Sequence, residues 1–258
     1  MYLTAEPLSA IPGIRHAFFT RGGTGTEAGG TIYQGLNCGL GSADDAETVH
    51  ANRARAMAAL DLAPEALATL YQVHSARVIT METPEDATGQ RADAMVTDRP
   101  GIALGILTAD CAPLLFCDPA AQVIGGAHAG WKGARFGVAA ATVEAMEQLG
   151  ARRERIRAAI GPTIGPQSYE VGPEFATHFL SQAAENARFF QRPAGAARAY
   201  FDLPGYLAAQ LRSLGLVHVT GLAADTVTDA ACFFSYRRSV LHSEPDYGRL
   251  LCTIALTD

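Results

Sequence analysis

The chain has 258 residues, of which 48% are hydrophobic, and it carries a formal net charge of −6 at pH 7. This length predicts one large domain or two small ones with a sizeable core. The negative charge argues against a general nucleic-acid-binding protein, which needs a basic face. No apolar run is long enough to span a membrane.

The cysteine content and the first residues indicate the compartment. Five cysteines, an odd number without close pairs, favour a reducing environment over a disulfide framework. The first sixteen residues lack the basic start and apolar core of a secretory signal. We therefore expect a cytoplasmic protein.

The first part of the chain predicts a strand, a glycine-rich loop and a helix. Residues 16–20 (HAFFT) predict a short strand, and residues 21–30 (RGGTGTEAGG) predict a loop. That loop lacks the GK[ST] ending of a phosphate-binding loop, so it is a mobile surface loop or, alternatively, a lid over a site. A helix is predicted over residues 46–60, with Asp44 or Asp45 as its cap.

The middle of the chain predicts strands separated by short turns. Residues 67–81 form two strand-like pieces that are interrupted near His74 and Ser75. The short turns farther along favour antiparallel or mixed pairing. The further strands are predicted over residues 92–98, 101–108, 113–117 and 122–128.

The remaining chain alternates helices and strands. No internal repeat and no linker long enough to divide the chain is found, so the fold class is α/β, with a single domain over residues 1–258 and a mixed β-sheet flanked by helices. The helices are predicted over residues 133–149, 173–185 and 203–214, and the strands over 156–160, 216–220, 232–236 and 250–256.

Three side chains are candidates for a functional site. Cys111 follows one apolar run and His128 ends another, and a thiol with an imidazole can share a metal ion or act as a nucleophile and its base. His74 completes a set of two histidines and one cysteine, and three such ligands with a vacant fourth position are typical of a catalytic zinc site. Burial in the core is the alternative for each residue taken alone.

Several blocks of sequence resemble the bacterial laccase-domain family. They are LYQVHSARV, ADAMVTDRPGIALGILTADCAPLLFCDP, GGAHAGWKG, AIGPTIGPQSYEVG and FFSYRRS followed by GRLL, and the resemblance runs from about Asn37 to the C-terminus. Members of that family have been called multicopper polyphenol oxidases, purine nucleoside phosphorylases and peptidoglycan editing factors. The resemblance implies a fold similar to the cytotoxic necrotising factor type of cysteine hydrolase, and a zinc ion on His74, Cys111 and His128.

The chain departs from the family pattern at a few positions. Many relatives have glycine where this chain has Ser75, and arginine where it has Lys132, which keeps the charge but loses the bidentate fork. Ser168 and the pair Asp225–Thr226 stand where many relatives have cysteine or a Cys-Thr pair. Further copper ligands at those positions are therefore not expected.

The number of histidines argues against a blue multicopper oxidase. An oxidase with four copper ions needs about ten histidines, many in His-x-His pairs, because copper prefers imidazole ligands in defined geometries. This chain has seven histidines and no His-x-His pair. Cu²⁺ can still bind the same three residues that would bind Zn²⁺.

The resemblance implies a zinc-dependent purine nucleoside phosphorylase that acts on adenosine, inosine or methylthioadenosine and also has adenosine deaminase activity. His74, Cys111 and His128 are the expected catalytic residues, and Asp110 and Glu170 are candidate acid–base groups. Structural salt bridges or helix caps are the alternative for the charged residues. The candidates for binding phosphate are Arg53, Lys132, Arg237 and Arg238.

Three alternative functions stay open. In the first, Cys111 is a thiolate nucleophile and His128 its base, and the protein hydrolyses an amide in peptidoglycan precursors of the UDP-muramoyl-L-serine type. The second is a copper-binding polyphenol oxidase, and the third is a non-catalytic metal-binding module. The expected partners are a purine nucleoside and phosphate, with no nucleic acid or membrane, and the protein is expected to be a monomer.

Overall fold

The computed structural model describes residues 2–22 and 32–257. Most of the predicted glycine-rich loop, residues 23–30, lies outside the described residues. Within the described residues, no helix has the length and apolar character needed to cross a membrane. The predicted extent of the domain, residues 1–258, stays a prediction.

Strands and helices alternate along most of the described chain. The strands are β1 (Tyr2–Leu3), β2 (Ile14–Phe19), β3 (Leu67–Thr69), β4 (Val78–Thr80), β5 (Ala94–Thr97), β6 (Ala103–Thr108), β7 (Ala112–Asp118), β8 (Val123–Ala129), β9 (Arg157–Ile160), β10 (Glu170–Val171), β11 (Phe190–Gln191), β12 (Ala199–Phe201), β13 (His218–Gly221) and β14 (Leu250–Leu256). The helices are α1 (Glu6–Ser9), α2 (Ala46–Ala58), α3 (Trp131–Phe136), α4 (Val138–Gln148), α5 (Pro173–Leu180), α6 (Leu203–Ser213) and α7 (Tyr236–Leu241).

The α/β class is confirmed, but the strands divide between two large mixed sheets where one was predicted. The five-stranded sheet has the order β1-β2-β14-β6-β3, and the six-stranded sheet has the order β13-β9-β7-β8-β5-β4. Strands β10, β12 and β11 form a small third sheet. Each large sheet contains parallel and antiparallel neighbours: β3 is parallel to β6, whereas β14 is antiparallel to β6.

The central hairpin of the six-stranded sheet is formed by β7 and β8. All residues of both strands are buried, as expected for strands covered on both faces. The antiparallel register pairs Ala112 with Ala129 and Pro113 with His128. Because Cys111 directly precedes β7, this register brings Cys111 and His128 to the same end of the hairpin.

Two expectations about strands and one about a helix were wrong. Strands β5 and β6 were expected to pair, but the turn at residues 99–101 carries the chain from one large sheet to the other. The helix predicted over residues 133–149 is two helices, because Gly137 adopts a left-handed conformation with φ 84° and ends α3. The strand predicted over residues 232–236 does not form; helix α7 begins at Tyr236 instead, with Ser235 as its cap.

The predicted strand is missing because its apolar residues pack into the core from irregular chain. Phe233 and Phe234 are buried in a small cluster with Leu250, and a short apolar run cannot by itself distinguish a strand from buried irregular chain. Other predictions hold with small shifts at their ends. Asp45 caps α2 by accepting a hydrogen bond from the backbone N–H of Thr48 at 2.8 Å, and α5 ends at Leu180 rather than near residue 185.

Candidate metal centre

The structure brings together the three side chains that the sequence singled out. Their ligand atoms all lie within 4.8 Å of one another, and Cys111 Sγ lies 3.8 Å from His74 Nε2. The two imidazole rings are nearly perpendicular, with centroids 4.8 Å apart. His128 is buried, Cys111 is half-buried and His74 is exposed, so the group is open to a substrate on the side of His74.

Gly130 makes the close approach of these side chains possible. A Cβ atom on Gly130 would lie 2.8 Å from both Cys111 Sγ and His74 Cδ2, which is closer than two non-bonded atoms can pack. Only glycine therefore fits at the end of β8 while the thiol and the imidazole converge there.

A buried carboxylate that sequence reasoning missed holds two of the three side chains. The Asp93 carboxylate accepts hydrogen bonds from His128 Nδ1 at 2.9 Å and from the backbone N–H of His74 at 2.8 Å. It also accepts bonds from the backbone N–H and the hydroxyl of Ser75, at 2.6 and 2.7 Å. The only signal for Asp93 was an acidic residue near the start of a predicted strand, before the apolar residues 94–96.

These hydrogen bonds set the charge of Asp93 and the orientation of His128. Burial alone would raise the pKa of Asp93, but the hydrogen bonds from His128 and Ser75 outweigh it and hold that pKa well below its usual range. With Nδ1 bound to a carboxylate, His128 has Nε2 available for Cys111 or a metal, which is the arrangement of many metal-binding histidines. The bond to Asp93 also stabilises His74 at its uncommon φ of 60°.

Without a metal, the surroundings of Cys111 and His128 favour the thiolate and the imidazolium. Burial would raise the pKa of the Cys111 thiol, but the charge of His128 and hydrogen bonds from His128 and His74 lower it to about 6. Burial would likewise lower the pKa of His128, but the charge of Cys111 and the hydrogen bond to Asp93 raise it to about 9. A thiolate beside two imidazoles is a donor set that suits zinc or copper, and three protein donors leave a position for a further ligand.

The first cavity beside the three side chains, which we call the aromatic cavity, has a volume of about 420 Å³. Its wall combines large apolar and aromatic side chains with carboxylates and one arginine. The residues that line it include Trp131, Tyr169, Phe175 and Tyr236, the acidic residues Asp110, Glu170 and Glu174, and Arg237.

A second cavity of about 300 Å³ meets the aromatic cavity at His74 and Cys111, and we call it the arginine cavity. His74, Ala109 and Cys111 line both cavities. Arg249, which sequence reasoning also missed, lines the arginine cavity, and no carboxylate of the described residues does so. The metal-ligand candidates thus lie at the junction of two spaces with different charge.

Three of the predicted phosphate-binding residues do not line either cavity. Arg53 donates hydrogen bonds to the Cys38 carbonyl at 2.8 Å and to the Thr69 hydroxyl at 3.2 Å. Lys132 is exposed, with Nζ 5.6 Å from the centre of the Trp131 ring. Arg238 donates to backbone carbonyls, among them that of residue 226 at 2.7 Å, and lines a separate cavity.

Arg237 and Glu170 do line the aromatic cavity. Arg237 donates a hydrogen bond from Nη1 to the Glu170 carbonyl at 3.0 Å, and its guanidinium lies 5.4 Å from the centre of the Tyr169 ring. The Glu170 carboxylate forms an exposed ion pair with Arg198 at 3.0 Å. Both side chains are thus placed beside the cavity and have protein partners.

Asp110 is buried and links three parts of the chain. Its carboxylate accepts hydrogen bonds from the Thr226 hydroxyl at 2.6 Å, the Ser235 hydroxyl at 3.0 Å and the backbone N–H of Arg237 at 2.6 Å. Burial raises the pKa of Asp110 above its usual value. These contacts fix the start of α7 against the segment that leads into Cys111.

Comparisons with known proteins find a matching family model and several relatives. The family model described as multi-copper polyphenol oxidoreductase laccase matches residues 15–257. A Deinococcus radiodurans protein named purine nucleoside phosphorylase is 43% identical over 98% of this chain and 92% of its own length. The Escherichia coli purine nucleoside phosphorylase YfiH is 36% identical over 80% of this chain and 82% of its own length.

Solved structures show the same fold. A Neisseria meningitidis protein of the DUF152 family superimposes with a TM-score of 0.86 at 32% identity, covering 100% of this chain and 99% of its own. YlmD from Geobacillus stearothermophilus superimposes with a TM-score of 0.87 at 28% identity, covering 100% of this chain and 96% of its own.

Replacing the carboxylate that orients His128 is expected to weaken metal binding. The Asp93→Asn variant should bind zinc roughly 10- to 100-fold more weakly, the effect typical of losing a hydrogen-bonding partner of a metal ligand. The measurement is a zinc competition titration with a chromophoric chelator, and Asp98→Asn, at the end of the same strand, is the control. Wild-type affinity in Asp93→Asn would show that the carboxylate does not support the metal site.

The metal-free protein is expected to contain one unusually reactive thiol. As pH rises through about 6, Cys111 becomes a thiolate, so its alkylation by iodoacetamide should accelerate there rather than near the usual value of about 8.5. Cys38 and Cys117 are buried, with thiol pKa values raised to about 12. Peptide mapping of the alkylated protein identifies the thiol, and a midpoint above pH 8 for Cys111 would contradict the ion pair with His128.

Proposed function

The chain belongs to the multi-copper polyphenol oxidoreductase laccase family, and from this membership and the site geometry we propose that it is a metal-dependent purine nucleoside phosphorylase. The observation that carries the proposal is the position of His74, Cys111 and His128 at the junction of the two cavities. The Deinococcus radiodurans relative, which bears the name of that activity, matches 98% of this chain.

The aromatic cavity has the properties that a purine nucleoside requires. Its volume of about 420 Å³ lies within the range of roughly 300–1,000 Å³ that is usual for small-molecule sites. Aromatic rings can stack on a purine base. Phosphorolysis also develops positive charge on the ribosyl group, which the carboxylates of Glu170 and Glu174, two of the residues that line this cavity, would stabilise.

The three side chains fit a metal by their chemistry and by the space that Gly130 leaves. A zinc ion bound to them would supply a Lewis acid at the junction of the cavities. When His128 Nδ1 donates its hydrogen to Asp93, the neutral ring has no hydrogen on Nε2, which is then free to bind the metal. Cys111 contributes a negative charge, and exposed His74 lies on the side from which substrate enters.

We extend the proposal to particular substrates and to a second reaction. Adenosine, inosine and methylthioadenosine share the purine and ribosyl groups that the aromatic cavity suits. Deamination of adenosine is proposed at the same site, because zinc deaminases combine histidine and cysteine ligands with a nearby glutamate. Glu170 and Glu174 are the glutamates that line the cavity here.

A second candidate function has a specific observation in its favour. In the metal-free protein, the Cys111 thiolate lies beside the His128 imidazolium, and this is the pair of groups that a cysteine hydrolase uses. In that function Cys111 attacks an amide carbonyl and His128 protonates the leaving amine, with a UDP-muramoyl-L-serine type of substrate. A fold similar to that of the cytotoxic necrotising factor type of cysteine hydrolase, which we also propose, would support this second function.

The two functions differ in their dependence on phosphate and on metal. With adenosine and phosphate, we expect the bond between ribose C1′ and purine N9 to break, a bond from C1′ to a phosphate oxygen to form, and adenine to leave with a proton. Chromatography should detect adenine, and phosphorus NMR should detect ribose 1-phosphate. A chelator should abolish the reaction, and added zinc should restore it.

Variants test which residues carry the activity. Cys111→Ala and His128→Ala should lose bound zinc and activity together, because each removes one of three donors. Cys232→Ala, which removes a thiol outside both cavities, is the matched control and should behave as wild type. Absence of any phosphate-dependent release of base by zinc-loaded wild-type protein would refute the phosphorylase proposal. Amide hydrolysis that survives chelation would support the hydrolase.

A further inference from the structure

The two cavities at the metal-ligand candidates differ in charge. The aromatic cavity is lined by three carboxylates and one arginine. The arginine cavity is lined by Arg249, by the hydroxyl-bearing Tyr71, Tyr247 and Thr108, and by no carboxylate of the described residues. The second space is therefore more favourable to an oxyanion than the first.

Arg249 is held firmly in its place. Its backbone N–H donates to Asn37 Oδ1 at 2.9 Å, and its carbonyl accepts from the Cys38 N–H at 3.0 Å. The side chain passes over Gly39, where a Cβ atom would lie 2.5 Å from Arg249 Cδ. The guanidinium then lies 4.4 Å from the centre of the Tyr247 ring. The charge is thus positioned by the fold rather than by a ligand.

Most of the hydrogen-bonding capacity of this guanidinium is unused among the described residues. It donates one hydrogen bond, from Nη1 to the Tyr247 carbonyl at 3.1 Å, although a guanidinium has five N–H donors. The nearest carboxylate oxygen in an ion pair, Asp246 Oδ1, is 3.9 Å from Nη2. The other oxygen of that carboxylate, Oδ2, accepts bonds from the Tyr33 hydroxyl at 2.6 Å and the Ala43 N–H at 2.8 Å.

The chemistry of phosphorolysis requires two spaces on opposite sides of one carbon atom. Phosphate must approach ribose C1′ from the face opposite to the departing base. Two cavities that meet at one point, one aromatic and acidic and the other cationic, provide that separation. With the base in the aromatic cavity, the arginine cavity is the space that remains for phosphate.

We propose that the arginine cavity is the phosphate subsite and that Arg249 is the residue that binds the phosphate oxygens. This inference rests on the proposed phosphorylase function and adds to it the position of the second substrate. It also moves phosphate recognition away from Arg53, Lys132 and Arg238, which do not line the cavity, and from Arg237, which lies among the carboxylates of the other one.

The test begins with Arg249→Gln, which keeps a polar side chain and removes the charge. The KM for phosphate should rise roughly tenfold to a hundredfold, as expected when a hydrogen bond to a charged group is lost. The KM for adenosine and the zinc content should stay at wild-type values. Arg249→Lys should recover part of the affinity, and Arg15→Gln, on an exposed ion pair with Asp61, should match wild type.

Gly39→Ala provides a second variant that leaves the charge in place. Its methyl group would occupy the path of the Arg249 side chain, so the KM for phosphate should rise while that for adenosine does not. The thermal unfolding of each variant shows whether it is folded. An unchanged KM for phosphate in folded Arg249→Gln, or a rise confined to adenosine, would overturn the subsite.

Direct binding separates failure of the subsite from failure of the proposed function. Titration of metal-free wild-type protein with inorganic phosphate, followed by phosphorus NMR, should show binding that Arg249→Gln loses. If the wild type releases no base, the phosphorylase proposal fails, but phosphate binding that depends on Arg249 still establishes an oxyanion site. If phosphate binds equally to both proteins, or to neither, the assignment of Arg249 is wrong.

Discussion

The hydrogen-bonded carboxylate of Asp93 is the constraint on which the site depends. One buried charge fixes the ring of His128, in the six-stranded sheet, and the backbone that carries His74, in the connection between β3 and β4. A buried carboxylate without partners would be costly, but here the surrounding N–H and O–H donors keep it ionised. The same bonds that remove this cost therefore also orient two of the three metal-ligand candidates.

The sheet topology explains why the third side chain meets the other two. The register of β7 and β8 sets Cys111 beside the end of β8, and Gly130 removes the side chain that would otherwise fill the space between them. The segments that cover this end of the sheet differ in composition. Residues around β10 and α5 supply aromatic rings and carboxylates, whereas the segment before β14 supplies Arg249. The two cavities therefore differ in charge because different segments of the chain cover the two sides of the hairpin end.

Sequence reasoning identified most of the longer strands and helices and the three central side chains, since each depends on local patterns or on distinctive residue types. It placed the chain in one sheet because a turn at residues 99–101 does not show whether the next strand stays in the same sheet. It missed Asp93 and Arg249 because their roles arise from contacts between residues distant in the sequence. For Arg53, Lys132 and Arg238 the charge was visible, but the backbone carbonyls and the ring that engage them were not.

The laccase name of the family and the phosphorylase name of the relatives are compatible with one set of donors. A thiolate and two imidazoles bind copper at least as strongly as zinc, since affinity along the series of divalent metals peaks at copper. A protein with such donors can therefore take up copper when copper is supplied, whatever reaction its cavities favour. The reaction is decided by what the surrounding walls accept. Here one cavity has aromatic walls with carboxylates, and the other has a cationic wall without carboxylates among the described residues. Under the proposed phosphorylase function these walls would take the base and the phosphate, whichever of the two metals is bound.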